Sequence, residues 1–248
     1  PGNAALNLLF TIDAPLVLAW TLALLFFWRA VEKPESWKEW LLLAITIGFG
    51  VLSKQMMLVF PLLIVAFAAA SRQDRALLRN PRMWAAIVIG AAFLTPVLIW
   101  QQANGWPTVT HMKEHFEVGN PAEHVTPGLM DHAGWFFQFP LLQAALYSPV
   151  TWVVMMAVLL AAVRAWKTLD RRGVLLVLFS GPALVVFFLL ALRQDVHANW
   201  PAVFYVPVFI ITAAWIEGAA VGISLGARLE GGGGRAWPEG LAIRVEAD

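Results

Sequence analysis

The residues of this chain whose types could do chemistry at the edge of an apolar phase are Asp13, Lys54, His197, Asn199 and Trp200. Asp13 closes the triplet Thr11-Ile12-Asp13 just ahead of the apolar run 14–28, with Pro15 in its first turn. There its carboxylate can cap the helix, an interaction worth about 1 kcal/mol, or bind a metal or position an acceptor. Placement alone leans towards the cap. Lys54 stands between two half-length apolar runs, 40–52 and 56–70. Its ammonium can snorkel to an interface, or it can meet a phosphate beside the free amide ends of a short helix pair. His197-Ala198-Asn199-Trp200-Pro201 lies between the long apolar runs 174–192 and 201–219. Pro201 suits a helix start, Trp200 an interfacial anchor and Asn199 a cap. His197, close to Asp195, is left without a structural task.

One further pattern invites a metal reading. His111, Glu114 and His115 form His-x-x-Glu-His, with the imidazoles four apart and His124 downstream. The surrounding segment, 101–131, is polar and loop-like and marks no further ligand. A solvated loop helix is the preferred reading there.

The elements that must carry these residues follow from composition. Sixty per cent of the 248 residues are hydrophobic and 13% are charged, where soluble domains average roughly 45–50% apolar and about 25% charged. The mean hydropathy is +0.69. The excess comes in long blocks, which reads as membrane helices. Apolar runs fall at 14–28, 40–52 with 56–70, 83–100, 132–146, 150–163, 174–192 and 201–219. This predicts an all-α polytopic bundle of about seven apolar helices over residues 1–219. The pair 40–52 and 56–70 is either two short spans or a re-entrant hairpin. Pro96 is expected to kink the end of the run at 83–100. The aromatic stretch 132–146, with Gln138 and Gln143 inside it, suits an interfacial helix, and Ser148-Pro149 starts the next span. Residues 220–248, with four consecutive glycines at 231–234, read as a flexible cytoplasmic tail.

Tryptophans 28, 40, 84, 100 and 200 sit at the ends of apolar runs, as interfacial anchors do. There is no cysteine, which excludes disulfides and thiolate chemistry. A net charge of +1 without a basic patch interleaved with aromatics gives no support for nucleic-acid binding. The breaks 29–39, 71–82 and 164–172, together with the tail, hold fourteen of the seventeen basic residues. By the positive-inside rule these segments are cytoplasmic. Asp13, Lys54, the outer loop 101–131 and the turn 197–200 then share the opposite side.

Taken in order, several pieces resemble the bacterial members of glycosyltransferase family 39, the dolichyl-phosphate-mannose-protein mannosyltransferase superfamily with the GT-C membrane fold. They are Thr11-Ile12-Asp13-Ala14-Pro15-Leu16, Leu52-Ser53-Lys54, Pro96-Val97-Leu98-Ile99-Trp100, Ser148-Pro149 and His197-Ala198-Asn199-Trp200-Pro201. The last is the most specific. The resemblance implies a multi-pass enzyme of the bacterial inner membrane that takes a sugar from a polyprenyl-phosphate donor. The acceptor would be a lipid, glycan or protein on the periplasmic or exterior side, and a divalent metal assists some members. It assigns Asp13 as the acidic residue near the active site, with His197 beside it as a catalytic candidate. Lys54 is placed near the donor phosphate, and Asn199 and Trp200 as substrate-binding lining. Such enzymes carry their principal carboxylate in the outer loop after the first membrane helix, and no segment here corresponds to it. The expectation is that the chain begins in the family's middle and that the catalytic base lies upstream of Pro1. The competing class is a transporter or flippase, which would place polar groups or broken helices near mid-membrane, often in repeats. Here the apolar runs are nearly free of ionisable groups and no internal repeat is visible.

Overall fold

The computed structural model describes residues 13–110 and 128–218. Apolar residues at the helical spacing 16, 19/20, 23/24, 27 and 30/31 give α1 (Asp13–Glu32) one continuous buried face. The same spacing in α2 (Trp37–Ser53) buries Trp40, Leu43, Ala44, Ile47 and Val51, and the two helices pack together along a shared face. Between them the carbonyl of Pro34 accepts from Trp40 Nε1 and from Asn80 Nδ2, each at 2.9 Å.

α2 stops because Lys54 takes an extended backbone, φ −158° and ψ 134°. A 3₁₀ turn, Gln55–Leu58, then leads into α3 (Val59–Ala70). Two aromatic contacts set the direction of α3. Trp20 meets Phe60 edge-on at 5.0 Å, and Phe27 meets Phe67 edge-on at 5.5 Å. Rising numbers pair with rising numbers, so α3 runs parallel to α1 and antiparallel to α2. Residues 37–70 are therefore an antiparallel helical hairpin with Lys54 at its tip.

After a 3₁₀ segment, Arg75–Arg79, α4 (Pro81–Ala92) starts at Asn80, whose side chain accepts from Arg82 N at 2.9 Å. It crosses α2 closely at Gly90, where an added Cβ would lie 2.8 Å from Ile47 Cγ2 and 3.1 Å from the Ala44 carbonyl oxygen. α5 (Thr95–Ala103) follows a break at residues 93–94, with Pro96 in its first turn. Further along are α6 (Leu129–Tyr147) and α7 (Pro149–Arg164), bent by 109° about Ser148, which holds a positive φ of 71°. The bend turns α6 away from the direction of α7. α8 (Arg171–Leu178), α9 (Gly181–Ala191) and α10 (Ala202–Ile216) complete the described helices. Trp20 also meets Phe204 edge-on at 5.0 Å, which seats α10 against α1. Trp152 Nε1 donates to Tyr205 Oη at 3.0 Å, tying α7 to α10.

Among the described residues the fold is all-α, with no strand. Three segments are long and apolar enough to cross a membrane: Asp13–Glu32, Pro81–Ala103 and Arg171–Ala191. The bent pair α6–α7 makes a fourth if it is one span, and Gln55–Ala70 and Ala202–Ile216 are shorter apolar helices. Against the expectation of about seven apolar helices, the described residues hold three of span length, or four if the bent pair is one span, and two shorter ones. Breaks at Lys54 and Ser148 divide the apolar sequence into shorter helices. Leu18 of α1, Ile45 and Phe49 of α2, Val88 of α4 and Val186 of α9 point outward although strongly apolar. A helix bundle with such an exposed apolar girdle is an integral membrane protein.

Candidate active site

Asp13 is the first residue of α1 and is buried, 5% exposed. Its Oδ1 accepts from Lys54 Nζ at 2.7 Å, and its Oδ2 accepts from Asn199 Nδ2 at 2.6 Å. Three segments far apart in sequence meet here: the start of α1, the hairpin tip and the turn before α10. Both carboxylate oxygens serve tertiary donors, so Asp13 is no simple helix cap. Asn199 departs from expectation in the same way. The residue before α10 is Pro201 and makes no side-chain cap bond, and the Asn199 amide reaches across to Asp13 instead. Only its backbone serves the helix start, its carbonyl accepting from Ala202 N at 3.2 Å.

A buried carboxylate held by one ammonium and one amide is electrostatically satisfied, which stabilises such a pair where an isolated charge would be costly. Lys54 keeps 20% of its side chain accessible, so a second anion can still approach its ammonium. The turn itself is closed by Trp200 N donating to His197 O at 3.1 Å. The His197 and Trp200 rings lie 5.3 Å apart; His197 is exposed and Trp200 is half-buried against the core. His197 therefore stands on the open side of the turn whose inner side carries Asn199.

A residue without an assigned role in the sequence reading holds this turn. Gln143, fully buried in α6, donates from Nε2 to the Ala198 carbonyl at 3.0 Å. The signal was its presence inside an apolar run, because a buried amide in such a setting needs a partner.

At the other end of the bundle the basic breaks gather. Asp74 accepts from Arg171 Nε at 3.0 Å and again from Arg171 Nη2, and from Ser71 Oγ at 2.5 Å. Arg171 and Arg172 lie over the Trp28 ring, and Arg172 is 3.9 Å from Glu32. Segments 29–39, 71–82 and 164–172 thus share one end, as their charge predicted, and Asp13, Lys54 and Asn199 occupy the other.

A divalent ion at this trio would meet one carboxylate already engaged at both oxygens, beside an ammonium, which is a donor set ill-suited to a hard cation. No group of three or more His, Asp or Glu side chains gathers among the described residues. His111, Glu114, His115 and His124 lie outside the described residues, as do Thr11, Ile12 and the tail at 219–248.

Residues 2–100 match the family model described as dolichyl-phosphate-mannose-protein mannosyltransferase. The similarity covers less than half of the chain, all of it in the first hundred residues. No curated protein and no solved structure matches the chain. The mannosyltransferase match contains Asp13 and Lys54 but stops before His197, Asn199 and Trp200. The Asn199–Asp13 hydrogen bond joins the matched part of this mannosyltransferase-like membrane protein to the turn that follows α9.

Proposed function

We propose that this chain is the membrane part of a glycosyltransferase that takes a sugar from a polyprenyl-phosphate donor and passes it to a lipid, glycan or protein acceptor. The supporting observation is the meeting of Asp13, Lys54 and Asn199 at the end of the bundle opposite the basic breaks. By the charge rule that end faces the periplasm or exterior of a bacterial inner membrane. The prenyl chain stays among the membrane lipids while the phosphate head meets the protein at the bilayer edge.

In this reading Lys54 supplies positive charge to the phosphate that departs when the sugar is transferred. Asp13 aims and orients that ammonium, and Asn199 fixes Asp13 against the opposite side of the pair. His197 and Trp200 line the approach from the open side of the turn, His197 being placed to exchange a proton with an incoming acceptor. Asp13, with both oxygens occupied, acts as a positioning carboxylate. The base that activates the acceptor is a different group. A divalent metal, if the full enzyme uses one, takes ligands beyond this trio, and no step here depends on it.

The test is sugar transfer from a polyprenyl-phosphate donor in membranes carrying the full-length protein. Lys54→Met is expected to lower turnover at least a hundredfold while insertion stays normal, and His197→Ala to lower it by about ten- to a hundredfold. Unchanged turnover in both variants would overturn the assignment.

A further inference from the structure

The end of the bundle away from Asp13 holds a cavity of about 400 Å³ between the α1–α2 turn, the 75–79 segment and the start of α4. Its lining includes Arg79, Arg82, Arg171, Asp74, Glu35 and Asn80. The charges there are unequally matched. Asp74 is buried and is neutralised by the two-pronged grip of Arg171. Glu35 pairs with Arg82 at 2.5 Å, but its side chain is 80% exposed, so the pair exchanges readily with water or with another anion. The Nε of Arg82 is buried with no acceptor, and Arg79 has no acidic partner among the described residues. One guanidinium is therefore left over, and a second is held only loosely.

The cavity rim continues into an apolar surface. The Arg82 guanidinium lies 5.4 Å from the Trp37 ring. From Trp37 the exposed stripe Leu41 and Ile45 runs down α2 at four-residue spacing, and Trp84 and Val88 of α4 are exposed as well. Trp84 is itself anchored by Nε1 donating to the Leu78 carbonyl at 2.8 Å. A guanidinium above a tryptophan above an exposed aliphatic stripe matches the profile of a phospholipid from head to tail.

We propose that this cavity binds an anionic phospholipid, its phosphate between Arg79 and Arg82 in place of Glu35 and its acyl chains along the exposed stripe of α2. The experiment is native mass spectrometry of the full chain with phosphatidylglycerol, and with phosphatidylcholine of identical acyl chains. Phosphatidylglycerol is expected to be retained at least fivefold more strongly. Arg79→Gln and Arg82→Gln are each expected to weaken it by about fivefold, the size of one interfacial cation. Arg72→Gln, exposed at the same end but outside the cavity, is expected to leave it unchanged. Equal retention of the two lipids overturns the proposal. So does an Arg72→Gln loss as large as that of Arg79→Gln, which would mark diffuse attraction. Inorganic phosphate at millimolar concentration that displaces the lipid completely would assign the cavity to a free anion instead. Arg79 is exposed on a short 3₁₀ segment, and thermal unfolding of Arg79→Gln unchanged from the parent separates lost binding from lost folding.

Discussion

Lys54 Nζ lies 2.7 Å from Asp13 Oδ1 although 41 residues separate them in the chain. The pair closes the open end of the α1–α2–α3 unit, because Asp13 starts α1 and Lys54 is the tip of the hairpin. With the carboxylate 7% and the ammonium 20% exposed, the pair is only weakly screened by water. Removing one partner strands the other. Asp13→Asn and Lys54→Met are each expected to destabilise the fold by about 2–4 kcal/mol, and the double variant by clearly less than their sum. A double-mutant cycle read by thermal unfolding in detergent checks this, and strict additivity would rule the coupling out.

Asn199 donates to the second oxygen of Asp13 at 2.6 Å. Asn199→Ala is expected to cost about 1.5–3 kcal/mol, the range for a hydrogen bond to a charged group. Asn199→Asp is expected to cost more, because two carboxylates then face each other. Transfer activity should fall in the same order, whereas an Asn199→Asp variant as stable as the parent would contradict the geometry.

At the opposite end, Asp74 is 4% exposed and takes both prongs of Arg171. Arg171→Gln leaves a buried carboxylate with Ser71 as its remaining side-chain donor. A loss of about 3 kcal/mol is expected, with partial recovery in Arg171→Lys, which restores charge without the fork. Chemical denaturation of the purified variants gives the comparison.

Gly90 sits where α4 crosses α2, and a Cβ there would press on Ile47 and on the Ala44 backbone. The backbone atom cannot move aside as a side-chain tip can. Gly90→Ala is expected to cost about 1–3 kcal/mol, and Gly90→Val more. Pairing Gly90→Ala with Ile47→Val should recover part of the loss by removing a methyl group from the contact. No recovery would mean that the backbone contact dominates.

Much of this arrangement was legible in the order of residues. Blocks of apolar sequence specify helices and a lipid-facing surface, because burying them in lipid is what their hydropathy demands. Basic residues confined to alternate breaks assign segments to two ends, and the structure gathers 29–39, 71–82 and 164–172 accordingly. Lys54 between two short runs marked a break, and Ser148-Pro149 marked a second. Residue type also singled out Asp13 and the 197–201 turn.

What the sequence could not decide was the partnership of these residues. A carboxylate at a helix start bonds locally as well as remotely, and an asparagine before a helix reads as a cap. Only the packing of α10 against α1, through Trp20 and Phe204, brings Asn199 to Asp13 in preference to its own helix. The directions of the helices were likewise a tertiary outcome, because hydropathy marks a break at Ser148 but not the 109° bend made there. Sequence determined which residues are polar and which end they face. Contacts between segments 41 and 186 residues apart decided that Asp13, Lys54 and Asn199 form one site.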